Sequence, residues 1–253
     1  MAELDVVGKV ATLLRLFSEA EPELSLALIR ERSGLPKPTA HRLLGALARE
    51  GFVYQDPTTR LYGLGAGLVH VAAPLLHHDH LGARATALLQ DLQGVCGESV
   101  SLQLRVGNER LCVREVVSRH DLRVSAGPGR VRPLYAGAAS KAILAFLPER
   151  EQRQVLAALA SMAGNARMTA LGNELAAIQG AGYATSVAEN TPGASAIAAP
   201  VFEGQRVVGA VNISGPESRW TPEAMLPCVD ALVRTARAVS ALVGLPNALE
   251  ALA

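Results

Sequence analysis

The sequence predicts an α+β protein of two domains: a small N-terminal unit of three helices closed by a β-hairpin, and a larger C-terminal α/β unit on a mostly antiparallel sheet. Three observations predict it. Apolar residues recur at helical spacing through most of the first 50 residues, then give way to two short β-rich runs around a polar turn. Residues 64–80 form an Ala/Leu/Gly-rich stretch without lysine or arginine, as a connector would. Beyond it, helical segments alternate with strands joined by tight turns. The 253 residues suffice for two ordinary domains, and 49% hydrophobic against 19% charged residues excludes a disordered or collagen-like chain.

The first domain is assigned to residues 1–63. Val6, Val10, Leu13, Leu14 and Phe17 mark its first helix, which Glu21-Pro22 ends. Ser25 suits the N-cap of a short second helix reaching Ser33-Gly34. Leu35-Pro36-Lys37 is a tight link. Pro38 fits the first turn of a third helix that runs to Glu50 and stops at Gly51. Residues 52–54 and 60–62 are the strands of the hairpin, with Gln55 to Thr59 as its turn. Residues 64–80 are expected to be one linker helix, kinked or split at Pro74.

The second domain, residues 81–253, opens with a helix over 83–92. A hairpin of strands 99–105 and 111–117 turns at Gly107-Asn108, and a third strand is expected at 122–125. Helices follow at 138–147, 149–160 and 170–181, then strands at 183–187, 196–202 and 207–213. A single long helix over 222–243, capped by Thr221 and ended by Gly244, completes the domain.

Charge narrows the functional classes. The formal net charge is +1, from 24 basic and 23 acidic residues, which excludes a grossly basic nucleic-acid coat and an acidic tail. The balance is not uniform. Residues 35–62 hold Lys37, Arg42, Arg49 and Arg60 against only Glu50 and Asp56. Cys96, Cys112 and Cys228 are odd in number and lack C-x-x-C, so neither a disulfide framework nor a structural zinc is expected. Glu3 and Asp5 precede any apolar run, unlike a secretion signal. The longest uncharged stretch, 61–78, is interrupted by glycines and Pro74, so no membrane partner is expected and the protein is read as cytoplasmic.

The third helix has two faces. Ala40, Leu43, Leu44 and Leu47 form a core stripe. The other side offers Thr39, Arg42 and Arg49, with Lys37, Pro38 and His41 at its N-terminal end. In a helix-turn-helix that end enters the major groove, where arginine pairs bidentately with guanine. Thr58, Thr59 and Arg60 at the hairpin tip suit a wing that touches the DNA backbone. Short helix, Gly-Leu-Pro turn, amphipathic helix and hairpin together define a winged helix-turn-helix DNA-binding domain.

At this point the chain resembles the IclR family of bacterial transcriptional regulators. Residues 34–44, Gly-Leu-Pro-Lys-Pro-Thr-Ala-His-Arg-Leu-Leu, match that family's signature around the recognition helix; Leu47, Gly51-Phe52-Val53 and Tyr62-Gly63-Leu64-Gly65 continue it. The likeness extends through Gly97-Glu98-Ser99-Val100, the segment 133–142, the segment 193–200 and Asn212-Ile213-Ser214-Gly215-Pro216. Arg30 departs from it, standing where the family usually has a small residue; it either alters packing or points outward. The resemblance implies a regulator, a repressor or an activator, that binds palindromic double-stranded operator DNA as a homodimer or homotetramer; no cofactor is expected. It also implies a GAF/profilin-like C-terminal domain for oligomerisation and for a small-molecule effector, a carboxylate or aromatic metabolite.

Read physically, the small residues from Leu134 to Lys141 that lead into a helix suit either close packing against the sheet or a ligand site; the resemblance, which implies a carboxylate-binding loop here, makes this segment the start of the candidate effector site. Free N–H groups of Gly137, Ala138 and Ala139 suit an anion, and Ser140 adds a hydroxyl. Asn212 and Ser214, two apart on a strand, share one face. The resemblance adds Ser186, Glu189 and Ala196 as pocket positions. Ser186 replaces the family's frequent acidic residue, and with the small Ala194 and Ala196 implies a different, bulkier ligand. Competing readings are a hydrolase-like enzyme using Ser140-Lys141 and a metal cluster at His77-His78-Asp79-His80. Adjacent helical residues point about 100° apart, which disfavours the first, and 78 does not share a face with 77 and 80, which disfavours the second. Neither a catalytic nor a metal site is therefore assigned. Cys112 is read as packing or pocket wall, not a redox sensor.

Overall fold

The computed structural model describes residues 6–18, 21–77 and 80–243. The chain divides into two compact units, Met1–Asp79 and His80–Ala253.

In the first unit, helices α1 (Val6–Leu14), α2 (Leu26–Ser33) and α3 (Lys37–Arg49) surround a core of Leu13, Ile29, Ala40, Leu44 and neighbouring apolar residues. The sequence places the caps correctly. Ser25 accepts the Leu28 amide at 3.2 Å, and Gly34 ends α2 in the left-handed conformation. After α3, the Gly51 amide reaches Ala48 and the Phe52 amide reaches Leu47, a Schellman closure that requires Gly51 at φ +72°. Arg30 is exposed, so this departure from the family pattern points outward.

Strands β2 (Val53–Gln55) and β3 (Tyr62–Leu64) form the wing, with the two-residue β1 (Glu23–Leu24) on the other side of β3. β1 is too short to show periodicity and escapes a sequence reading. The second wing strand starts at Tyr62 instead of residue 60, because Arg60 takes a left-handed φ of +62° inside the loop. The expected linker helix starts late: Leu64 still pairs with Val53, and α4 runs Gly67–His77 with Pro74 inside it.

The second unit begins with α5 (His80–Cys96) and holds a six-stranded sheet of antiparallel pairs in the order β6-β5-β4-β9-β8-β7. Its strands are β4 (Ser99–Val106), β5 (Glu109–Val116), β6 (Val131–Pro133), β7 (Ala184–Val187), β8 (Ala194–Glu203) and β9 (Arg206–Pro216). Helices α6 (Ala138–Ala145), α7 (Glu149–Ala163) and α8 (Asn165–Ala181) lie in chain order between β6 and β7. One core joins Leu102, Ile197, Val211 and Ile213 to α5 and to the last helix; a second joins Ala184, Ala198 and Ala210 to α6, α7 and α8. The period-two alternation of the strands assigns these two sets to opposite faces.

Two expected elements differ. No strand forms at 122–125. The Glu115 carboxylate instead takes the Ser125 hydroxyl at 2.7 Å and the Ala126 and Gly127 amides at 2.6 and 3.1 Å. Those amides are thereby withdrawn from any sheet ladder, and the third strand is β6. The expected single helix over 222–243 breaks at Pro227, which lacks the amide a continuous helix needs. It becomes α9 (Pro222–Met225), a 3₁₀ turn (Leu226–Cys228) and α10 (Val229–Val243), with Thr221 capping as expected.

Candidate operator-reading face and effector cleft

On α3 the apolar stripe is buried as expected, while Lys37, Pro38, His41, Arg42 and Arg49 are exposed and Thr39 is half-buried. Thr58, Thr59 and Arg60 are exposed at the wing tip. The residues named from the sequence thus occupy one helix and one loop of a winged fold. Asp56 builds the tip: one carboxylate oxygen accepts the Thr58 and Thr59 amides, each at 2.7 Å. These bonds hold its carboxyl below the usual range. A depressed carboxylate keeps the turn closed above its unfolded value and releases it only as pH falls through the lowered one. Asp56→Ala is expected to leave the helices intact and weaken operator affinity several-fold, read by fluorescence anisotropy. Wild-type affinity in that variant would remove the wing turn from the account.

In the second unit, the N-terminus of α6 abuts a partly open cleft of about 70 Å³, enough for a few waters. Ala138, Ser186, Ala196, Asn212 and Ser214, all expected site residues, line it. Asn212 and Ser214 are buried, so their shared face is interior and not solvated. Gly137, Ala139, Ser140 and Glu189 are not among its lining residues. The helix amides are not left open. Glu189 accepts the Gly137 amide at 2.9 Å, and Ser186 accepts that of Ala138 at 3.0 Å. Gly137 has φ +91°, which favours glycine, and a Cβ there would also press on the end of the Asn190 side chain, at 1.9 Å.

Lys141 is 5% exposed and holds Glu189 at 2.6 Å and Glu174 at 2.8 Å. Ser140 accepts from Arg110 Nε at 2.8 Å. Serine and lysine of the enzyme reading are therefore engaged separately. Burial pushes the Cys112 thiol up to about 12, as it does that of Cys96, so neither is a reactive thiolate at neutral pH. The His77–His80 cluster falls outside the described side chains; among the described residues no group of His, Cys, Asp and Glu is arranged to hold a metal.

Sequence reasoning misses one side of the cleft. Arg110, Gln103, Arg132 and Asn190 line it too. Arg110 is 6% exposed and donates from Nη1 to Gln103, whose amide donates to Ser101 at 3.1 Å. A signal for it exists: Ser99, Ser101 and Gln103 repeat the two-residue polar period seen at Asn212 and Ser214, and β4 pairs with β9 so that Ser101 opposes Asn212.

A winged helix with a basic reading end, carried in one chain with a separate sheet domain, defines a DNA-binding regulator of transcription. The chain belongs to the IclR family: residues 6–57 match the IclR helix-turn-helix domain, and residues 73–241 match the bacterial transcriptional regulator IclR C-terminal domain. It is 34% identical over 218 residues to a glycerol operon regulatory protein of Streptomyces griseus, covering 85% of this chain and 86% of that one. It is 30% identical to the HTH-type transcriptional repressor AllR of Escherichia coli K12, covering 83% and 80%. Among solved structures, an IclR transcriptional regulator of Silicibacter sp. TM1040 matches with TM-score 0.84 at 26% identity, covering 95% and 96%. One from Alicyclobacillus acidocaldarius matches at 0.79 and 29%, covering 94% and 98%. The family and these relatives are regulators, not enzymes. Among the described residues no helix is long and apolar enough to cross a membrane.

Proposed function

We propose that this regulator is a repressor whose affinity for a palindromic operator is set by a small anionic effector bound in the cleft beside α6. Residues 1–63 read the DNA, 64–80 connect, and 81–253 bind effector and oligomerise as a homodimer or homotetramer in the cytoplasm. Lys37, Pro38, Thr39, His41, Arg42 and Arg49 face the major groove or its phosphates, and Thr58, Thr59 and Arg60 the flanking backbone. The observation that carries the effector reading is the cleft itself: a partly open cavity walled by the buried Ser186, Asn212, Ser214 and Arg110. A buried cation whose hydrogen-bond partners are neutral favours an anionic occupant. Among the described residues no aromatic side chain lines the cleft, and its volume suits a compact ligand. This supports the carboxylate alternative over an aromatic metabolite, and a small ligand over the bulkier one that Ser186 and the alanines imply.

A coupling of about 1–3 kcal/mol between effector and operator would change occupancy roughly 5- to 150-fold. The test is a gel shift of the full chain on its own upstream promoter, with and without a low-molecular-weight cell extract. A specific shift that the extract alters is expected. No specific shift under either condition would sink the regulator reading; a shift indifferent to the extract would sink effector control.

A further inference from the structure

The fold does not account for the two arginines at one end of the cleft. Arg110 and Arg132 are direct cross-strand partners on β5 and β6, an arrangement in which like charges repel. Arg110 is buried, and its hydrogen bonds run to the neutral oxygens of Ser140 and Gln103. Among the described residues, no carboxylate pairs with either arginine. Burial, reinforced by the charge of Arg132, pulls Arg110 down to about 10. Its Nε and one hydrogen of Nη1 are engaged, which leaves the second Nη1 hydrogen and both on Nη2 for a ligand. Meanwhile the amides of Gly137 and Ala138 at the start of α6 are already held by Glu189 and Ser186. An anion bound there would have to displace a carboxylate that Lys141 also grips.

We propose that the cleft takes a small ligand carrying a doubly charged oxyanion, a phosphate monoester or a dicarboxylate, held between Arg110 and Arg132 and not at the N-terminus of α6. This deepens, and rests on, the effector reading above. Two guanidinium groups facing one cavity match two negative charges, and each can bond several oxygens of a planar or tetrahedral anion. Ser125, Asn190, Thr191 and Asn212, which also line the cavity, supply neutral partners for hydroxyl groups on the rest of the ligand.

Isothermal titration of the full chain tests this with four three-carbon probes: glycerol 3-phosphate, malonate, lactate and glycerol. At least one dianion is expected to bind saturably and at least tenfold more tightly than lactate, with glycerol silent; the stronger of the two identifies the source of the charge. Affinity for glycerol 3-phosphate is expected to fall as pH drops through about 6, where a phosphate monoester loses its second charge. Arg132→Gln is expected to weaken dianion binding at least tenfold. It sits half-buried on a three-residue strand, so the fold should survive; Arg110→Gln is the second variant, accepted only if its melting temperature is kept. Lactate binding as tightly as either dianion, dianion binding indifferent to both substitutions, or no binding by any probe overturns the proposal. In those cases the gel shift with cell extract separates the failures. If the extract still alters the shift, the effector reading stands and only the dianion falls.

Discussion

Replacing Arg42 with alanine is expected to remove operator-specific binding while leaving the protein folded. Arg42 lies on the exposed side of α3, one residue before the buried Leu43 and Leu44, and forms no ion pair among the described residues. Its loss should therefore change stability by no more than about 0.5 kcal/mol. A bidentate arginine–guanine pair is worth about 1–3 kcal/mol per site. A palindromic operator read by two heads doubles that to about 2–6 kcal/mol, or roughly 30-fold to 10⁴-fold in affinity. Arg49→Ala, at the far end of the same helix, is the contrast. A guanidinium there that grips only phosphate supports operator and scrambled DNA alike. Its removal should weaken both and reduce the salt slope by about one per phosphate released. Anisotropy titrations on operator and scrambled duplexes, with thermal melts alongside, check both variants. An Arg42→Ala protein that binds operator within threefold of wild type would show that α3 does not read bases through this residue.

The DNA-reading unit is the more legible half because its signals are local. Ser25, Gly34, Pro38 and Gly51 each act within one turn of chain, and each cap appears where its chemistry puts it. The features that escape a sequence reading depend on residues far apart in the chain. β1 exists only because Glu23 and Leu24 meet Gly63 and Tyr62. The segment 122–125 has strand-like composition, yet Glu115 claims its neighbours' amides. The cleft is half legible for the same reason. Asn212 and Ser214 announce a polar face by their spacing on one strand, whereas Arg110 joins that site only through the pairing of β4, β5 and β6. The small residues around Gly137 mark a helix start open to an anion. That Glu189, 52 residues away, provides one from within the chain has no local signature.

That internal anion makes Lys141 a polar residue whose loss should cost the second unit heavily. Its Nζ is buried between Glu189 and Glu174, and Glu189 in turn closes the N-terminus of α6, so one ammonium group neutralises the carboxylate that caps the helix. Lys141→Met keeps the chain length and apolar stem but takes an ammonium group away from Glu189 in a largely enclosed site. Breaking a buried pair costs about 3–5 kcal/mol. The acidic side chains are 19% and 41% exposed, and that partial hydration argues for the lower end, about 3 kcal/mol. For a unit of this size the melting temperature should fall by roughly 6–12 °C. The diagnostic is the double variant. With Glu189→Gln added, the more enclosed of the two carboxylates is neutral and only the 41% exposed Glu174 has lost its ammonium partner, so much of the loss should return, whereas independent sites would give additive losses. The helix start would keep an amide oxygen as acceptor for Gly137 N–H, so the cleft wall should persist. A Lys141→Met protein that melts within 2 °C of wild type, or a double variant no more stable than the single one, would mean that Lys141 is held there for packing and that the α6 cap does not depend on its charge.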